Sequence, residues 1–214
     1  MPSDVSRETL ARVGVDVSRE TLERLACHVA LLLRWNRTVN LIAEAGEHEV
    51  WARHIADSAQ LAALIPPGTQ HGIDLGAGAG FPGLVLALMT GIRFDLIEAD
   101  HRKATFLREA ARVTGAAVRV HAVRVECARV ELAPLVTARA LAPLPKLLSL
   151  AAPLLLKDGV ALFPKGRTAE NELTKARREW HMHVRRIPSR TAPGATILML
   201  SEIHRAGAPE RGAG

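Results

Sequence analysis

The chain of 214 residues contains no tyrosine and only three Trp and four Phe. A protein that stacks many single-stranded bases on aromatic side chains is therefore not expected. Cysteine is also scarce, because Cys27 and Cys127 are too few for a disulfide framework or a cysteine-based metal site. We expect both to be buried as small apolar residues, and the protein to work in a reducing cytoplasm.

Long apolar runs are also missing from the sequence. The longest strongly apolar stretch, residues 147–156, has ten residues and contains Pro153, whereas a membrane-spanning helix needs about 20. The first ten residues carry charge where a secretory signal would have its apolar core. We therefore expect neither export nor a membrane partner.

Cations outnumber carboxylates in this chain. Lys and Arg number 28 against 22 Asp and Glu, which gives a net charge of +6 and an isoelectric point near 10.1. Apolar residues make up 48% and charged residues 23%, which is typical of a folded globular protein. The basic balance favours a polyanionic partner.

The first third of the sequence has a helical pattern. Leu22, Leu25 and Val29 lie on one helical face, and we expect Ser18 to cap this helix and Ser6 to cap an earlier one. A second helical stretch, residues 50–64, ends before a Pro-Pro-Gly loop. We predict a helical extension over residues 1–67, a core domain over 68–205 and a disordered tail over 206–214.

After this loop, predicted strands alternate with predicted helices. The strands are 72–75, 94–98, 118–121, 135–138, 159–163, 183–187 and 195–203, and the helices are 82–89, 102–114 and 168–180. This alternation predicts an α/β fold with a Rossmann-like, mostly parallel sheet and a ligand site at the carboxyl ends of the strands. The last two strands lack a helix between them and should form an antiparallel hairpin.

The strongest local signal is the glycine-rich turn DLGAGAGFPG at residues 74–83. Gly76, Gly78 and Gly80 allow a tight turn and close approach of a ligand to the backbone. Gly78, Gly80 and Gly83 also satisfy G-x-G-x-x-G, a dinucleotide motif. However, the Asp74 carboxylate suits a ligand with a cationic end, such as the ammonium of an amino acid, better than it suits a pyrophosphate.

Two further acids could face a nucleoside. Glu98 ends the second predicted strand, where an acid accepts hydrogen bonds from ribose hydroxyls in nucleotide-binding α/β folds. Val125 and Glu126 follow the third strand, where they could meet an adenine edge. A surface charge pair between Arg124 and Glu126 is an equally good interpretation of the spacing.

Histidines offer weaker signals. His54 lies beside Arg53 and three residues before Asp57 on a predicted helix, so it could either pair with Asp57 or contact RNA. His181 and His183 lack a third ligand nearby, and we expect no metal site.

Residues 17–203 resemble the bacterial 16S rRNA guanine-N7 methyltransferases, the family of ribosomal RNA small subunit methyltransferase G. The matching phrases are LRWN at 33–36, NL at 40–41, RHIADS at 53–58, GFPG at 80–83, KATFL at 103–107, RVE at 124–126, TARA at 137–140 and KG at 165–166. The order of these phrases is more specific than the glycine turn alone. The resemblance implies a class I methyltransferase fold and S-adenosylmethionine as the methyl donor.

The resemblance also implies roles for individual residues. Gly76 and Phe81 would line the methionine side of the donor site, together with Asp74, Gly78 and Gly80 of the same turn. Glu98 would hold the ribose, Val125 and Glu126 would border the adenine, and Arg139 would close the pocket. Arg139 and Lys165 are the expected catalytic residues, and Arg53, His54 and Lys165 the expected RNA contacts. The expected partner is 16S rRNA or the small ribosomal subunit, bound by a monomer.

Guanine N7 has a free lone pair, so this reaction would need positioning rather than a general base. Three alternatives remain open. The acceptor could be another RNA or a small molecule, the protein could be a nicotinamide-dependent oxidoreductase, or it could bind RNA without catalysis.

Overall fold

A computed structural model describes residues 4–43 and 46–207 of the chain. Its seven strands are β1 (His71–Leu75), β2 (Arg93–Ile97), β3 (Val118–His121), β4 (Ala133–Ala138), β5 (Leu155–Lys165), β6 (Trp180–Pro188) and β7 (Thr196–Arg205). Its α-helices are α1 (Asp4–Arg12), α2 (Arg19–Trp35), α3 (Glu47–Val50), α4 (Ala56–Ala59), α5 (Gly83–Thr90), α6 (His101–Thr114), α7 (Leu144–Ala151) and α8 (Ala169–Ala176). None of these helices is long and apolar enough to cross a membrane.

The strands form one twisted sheet in the order β3-β2-β1-β4-β5-β7-β6. The first five strands pair in parallel, and β7 pairs antiparallel with both β5 and β6. The predicted α/β class, the mostly parallel sheet and the C-terminal hairpin are therefore confirmed. The order reverses at β1, which pairs with β2 on one side and β4 on the other. This switch point is where open α/β sheets bind ligands.

Two apolar cores cover the two faces of the sheet. On one face, Phe94 and Leu84 pack with Leu25 and Trp51 of the N-terminal helices. On the other face, the core includes Phe163 together with side chains of α7 and α8. The N-terminal helices thus share a core with the sheet, although the predicted boundary after residue 67 stays a prediction. Most of the predicted tail, residues 208–214, lies outside the described residues.

The helical predictions in the N-terminal region are partly correct. Ser18 caps α2, since its Oγ accepts a hydrogen bond from the amide of Thr21 at 3.1 Å. Ser6, in contrast, lies buried within α1 rather than at its cap. The predicted helix over residues 50–64 is a composite: α3 continues through a π-helical turn (Trp51–Ile55) into α4, and a 3-10 turn follows at Ala62–Leu64.

Other boundaries also differ from the sequence-based expectations. The helix predicted to reach residue 180 ends at Ala176. Thr168 lies at its N-cap position without a capping hydrogen bond, and its hydroxyl donates to Glu172. β4 begins at Ala133, where its register with β5 is irregular. The helix α7 was not predicted. Cys27 and Cys127 are exposed, so the expectation of buried thiols is wrong.

Candidate functional site

The glycine turn lies between β1 and α5, at the switch point of the sheet. Gly76, Gly78 and Gly80 have φ values of 66°, 55° and 90°, a backbone region that strongly favours glycine. The amide of Gly76 donates to the carbonyl of Ile97 at 2.8 Å. The turn therefore bends out of β1 while remaining attached to the end of β2.

Asp74 lies beneath this turn and is fully buried. Its Oδ2 accepts a hydrogen bond from the amide of Gly83 at 3.0 Å, and its Oδ1 accepts one from the hydroxyl of Thr137 at 2.8 Å. A Cβ on Gly83 would lie 2.6 Å from the Cβ of Asp74, so only glycine fits there. Burial raises the pKa of Asp74 to about 7, against the lowering effect of these hydrogen bonds.

Glu98 follows β2 and fixes the turn from the other side. Its Oε2 accepts a hydrogen bond from the amide of Gly78, and its Oε1 accepts one from the amide of Asp100, both at 2.8 Å. The side chain is almost completely buried. The carboxylate therefore lies directly against the glycine turn, as the sequence register predicts.

Val125 and Glu126 lie in a short 3-10 turn after β3. The Glu126 carboxylate is 3.2 Å from the ammonium of Lys146 and 3.7 Å from the guanidinium of Arg124. The structure therefore shows the surface charge pair that was one of the two interpretations of this segment. A contact with adenine stays a prediction.

A cleft of about 920 Å³ opens beside the glycine turn at the carboxyl ends of the parallel strands. Of the predicted site residues, it brings together Arg53, His54, Gly76, Gly78, Phe81, Arg139 and Lys165. Asp74, Gly80, Glu98, Val125 and Glu126 are not part of its lining. The cleft thus joins the methionine side of the predicted donor site to the residues predicted to contact RNA.

His54 of the N-terminal helices takes part in a stack centred on Phe81 of the glycine turn. The rings of His54 and Phe81 are 5.0 Å apart and nearly parallel, with an interplanar angle of 19°. The guanidinium carbon of Arg139 lies 5.1 Å from the centroid of the Phe81 ring. The arrangement holds the Arg139 cation at the cleft by packing it against a Phe81 ring that is itself buried.

Arg139 connects this wall to the sheet. Its Nη1 donates to the carbonyl oxygen of Arg53 at 3.1 Å and lies 3.6 Å from the Asp57 carboxylate. Asp57 also accepts hydrogen bonds from Thr191 at 2.8 Å and Gln60 at 2.9 Å. Burial lowers the pKa of Arg139, and Asp57 opposes this effect, so the guanidinium stays charged.

Lys165 lies at the end of β5 and is largely buried. Its ammonium donates to Glu172 and to the carbonyl of Ala142, both at 2.9 Å. Glu172 also accepts hydrogen bonds from the amide of Leu144 and the hydroxyl of Thr168. Although burial opposes ionisation of Glu172, these hydrogen bonds dominate and lower its pKa. Two of the three ammonium protons of Lys165 are thus used to hold the segment between β4 and α7.

Sequence reasoning missed His28 on α2. Its ring is fully buried, and Nε2 lies 2.9 Å from the carbonyl oxygen of Ala79 in the glycine turn. Burial lowers its pKa to about 4, so the ring is neutral and Nε2 donates. This contact spans 51 positions of sequence. The helical pattern around His28 could not have predicted it.

A parallel sheet that ends in an antiparallel hairpin, with a glycine turn closed by Glu98 after its second strand, defines a class I methyltransferase. The model of the family GidB, rRNA small subunit methyltransferase G, matches residues 21–195. The chain therefore belongs to the family of ribosomal RNA small subunit methyltransferase G, as the resemblance predicted. Within the described ranges, no three His, Cys, Asp or Glu side chains form a group that could hold a metal ion.

Similar proteins of known name agree with this assignment. The ribosomal RNA small subunit methyltransferase G of Rhodospirillum centenum is 55% identical over 199 residues, covering 93% of this chain and 87% of that protein. The protein of the same name from Granulibacter bethesdensis is 55% identical over 197 residues, covering 92% of each.

Two solved structures share the fold at low identity. The ribosomal protein L11 methylase of Lactobacillus delbrueckii subsp. bulgaricus has a TM-score of 0.55 at 17% identity, covering 68% of this chain and 78% of that one. A 16S rRNA N2 G1207 methyltransferase of T. thermophilus, solved with AdoMet and guanosine, has a TM-score of 0.50 at 16% identity, covering 68% and 38%.

Proposed function

We propose that this protein transfers a methyl group from S-adenosylmethionine to N7 of a guanine in 16S rRNA. The observation that carries the proposal is one continuous cleft, lined by the glycine turn and by Arg139, whose guanidinium lies over Phe81 of that turn. Membership of the rRNA small subunit methyltransferase G family supports the rRNA substrate. The N7 position rests on the family resemblance together with the chemistry below.

The residues present fit the donor. A Cβ built on Gly78 would meet only the carbonyl oxygen of Gly76, at 3.8 Å, so the turn faces open space. Gly76 and Phe81 would hold the methionine portion, Glu98 the ribose, and Val125 with Glu126 the adenine. S-adenosylmethionine supplies an electrophilic methyl group on a sulfonium centre.

The residues of the cleft would act by positioning the acceptor. Guanine N7 needs no deprotonation, so a general base is not required. Arg139 can donate to guanine O6 while its guanidinium stays over the Phe81 ring. Arg53 and His54 would contact the RNA nearby. Because Lys165 is held by Glu172, we assign it the role of fixing the segment that follows Arg139.

We also propose that the protein acts as a monomer in the cytoplasm, on 16S rRNA or the small ribosomal subunit. The net charge of +6 and the family support a ribosomal partner. Within the predicted extension over residues 1–67, Arg53, His54 and Asp57 line one wall of the cleft. The predicted core over residues 68–205 would carry the donor site.

The direct test uses purified protein, labelled S-adenosylmethionine and small ribosomal subunits from cells that lack this activity. The methylated position is mapped by cleavage at 7-methylguanine. We expect a single labelled guanine N7 in 16S rRNA. Donor binding without methyl transfer would instead favour another RNA or a small molecule as acceptor, and binding of a nicotinamide cofactor alone would favour the oxidoreductase.

Donor binding should depend on pH through Asp74. In the free protein burial raises the pKa of this carboxyl to about 7. An ammonium or sulfonium held against the glycine turn above it would favour its ionised form through the low-dielectric interior, without direct contact. Binding at pH 6 should therefore release close to one proton, and affinity should fall by up to about tenfold per pH unit below 7. Calorimetry in two buffers of different ionisation enthalpy measures the released protons.

The variant Asp74→Asn should bind the donor with little pH dependence and release no proton through this position. Asp95→Asn is the matched control, because Asp95 is also buried but bonds to His71 and His121 on another part of the sheet. A wild-type protein that releases no proton at pH 6 would show that the donor does not interact with Asp74.

A further inference from the structure

The C-terminal hairpin exposes a row of cationic and imidazole side chains on one face. His181, His183 and Arg185 alternate along β6, which is the edge strand of the sheet, and all three are exposed. His204 of β7 lies opposite His181, with ring centroids 5.4 Å apart. We call these four residues the hairpin track.

The hairpin track leads away from the cleft. Ile187 is the next residue of β6 on the same face, and it pairs with Ile197, which lines the cleft. Successive residues on one face of a strand are about 7 Å apart, so the track extends roughly 20 Å from the cleft wall. A polymer held in the cleft by one unit could therefore follow the track with the units beside it.

Positive charge is concentrated in this hairpin and in the three residues that precede it. Residues 177–205 contain six Arg and two Glu but no Lys or Asp, a net charge of +4, whereas the whole chain carries +6. Arg186, on the opposite face of β6, is paired with Glu170 at 2.7 Å. Within the described part of the chain, Arg185 has no carboxylate partner, and its Nη1 lies 3.9 Å from the sulfur of Met199.

We propose that the hairpin track binds the phosphate backbone of the RNA next to the methylated nucleotide. This inference rests on the proposed function, and it identifies a second surface that would contact the RNA substrate. Arg185 is an exposed cation without a carboxylate partner among the described residues, and such a cation gains from phosphate because binding releases counterions. The exposed imidazoles beside it can donate hydrogen bonds to phosphate oxygens. Protein partners usually dock on apolar anchors. The large apolar side chains exposed in the described residues are Val123, Leu132, Leu141 and Leu156, and none of them lies on the hairpin.

Arg185→Gln tests the hairpin track. The binding of naked 16S rRNA is measured between about 50 and 200 mM salt, because each lost phosphate contact reduces the slope of log K against log salt by about 1. We expect a slope reduced by about 1, an affinity lowered by about three- to tenfold, and unchanged binding of S-adenosylmethionine. Arg185→Lys should restore the wild-type slope, since it keeps the charge.

Arg119→Gln is the matched control. Arg119 is exposed on β3, the edge strand at the other end of the same sheet, and its loss should leave the slope unchanged. If Arg185→Gln keeps the wild-type slope, or matches Arg119→Gln, the inference is wrong. A reduced affinity seen with assembled subunits but not with naked rRNA would also overturn it, because the contact would then be with a ribosomal protein.

The two proposals fail in different ways. If the wild-type protein binds rRNA with a slope that depends on Arg185 but transfers no methyl group, the track stands and the proposed reaction fails. If it methylates 16S rRNA while Arg185→Gln has no effect, the reaction stands and the track fails. A wild-type protein that does not bind 16S rRNA at all overturns both.

Discussion

Gly78→Arg should abolish binding of S-adenosylmethionine while leaving the protein folded. Gly78 lines the cleft, and a Cβ there meets only one backbone oxygen at 3.8 Å, so the new side chain would extend into the space that the donor needs. A steric cost of about 3 kcal/mol, the upper end for overpacking, already corresponds to a roughly 100-fold weaker affinity. Titration calorimetry with S-adenosylmethionine measures this loss.

The substitution also strains the backbone at Gly78. Its φ of 55° is unfavourable for arginine, at a cost of about 1–2 kcal/mol and a Tm lower by a few degrees. Gly91→Arg is the matched control, because Gly91 has a φ of 73° and open space but lies at the end of α5. Both variants should lose similar stability, and only Gly78→Arg should lose donor binding. Equal donor affinities in the two variants would place the donor elsewhere.

The core of the fold could be predicted because its signals are local. β3 was predicted with the boundaries that it has, and β1 and β2 within one residue at each end. Each is a short run of apolar or alternating apolar and polar residues, a pattern that can be recognised in the local sequence alone. The glycine turn was predictable for the same reason, since its conformation is imposed by residues adjacent in sequence.

The failures of prediction involve tertiary contacts. Ser6 could cap a helix by its sequence, but α1 begins at Asp4 and buries the Ser6 side chain. The helix after Thr168 ends early because Trp180 enters β6 and its ring packs in the second core. The helix α7 was obscured because its sequence runs directly into the apolar residues that precede β5.

The candidate site likewise contains residues that the sequence could predict and contacts that it could not. Gly76, Gly78 and Glu98 follow from spacing, since they belong to consecutive strand ends. The partners of the predicted cations cannot be derived from spacing. Arg139 contacts Asp57 across 82 positions of sequence, and the contacts of Lys165 depend on where α8 packs. The sequence could therefore identify Lys165 as a cation at the cleft but not show that its charge is already used by Glu172.

Arg139→Lys should reduce kcat/KM for methyl transfer by about 10²–10³-fold, the usual effect of losing one precisely placed donor. The substitution keeps the positive charge but removes the planar guanidinium, which lies over Phe81 and donates to the carbonyl of Arg53. A lysine cannot make both contacts and still present a donor to guanine. Single-turnover methyl transfer to small subunits measures the loss, and donor affinity should change by only a few-fold.

Stability should change little in this variant, because the N-terminal helices are held to the sheet by an apolar core that includes Leu25 and Trp51, not by the Arg139–Asp57 pair alone. Arg93→Lys is the matched control. Arg93 also pairs with a carboxylate, Glu131 at 3.1 Å, but both side chains are well exposed, and Arg93 begins β2 at the end of the strand opposite the cleft. It should leave activity unchanged. If Arg139→Lys retains wild-type kcat/KM, a positive charge at this position is sufficient, and the guanidinium geometry over Phe81 is not used to hold the guanine.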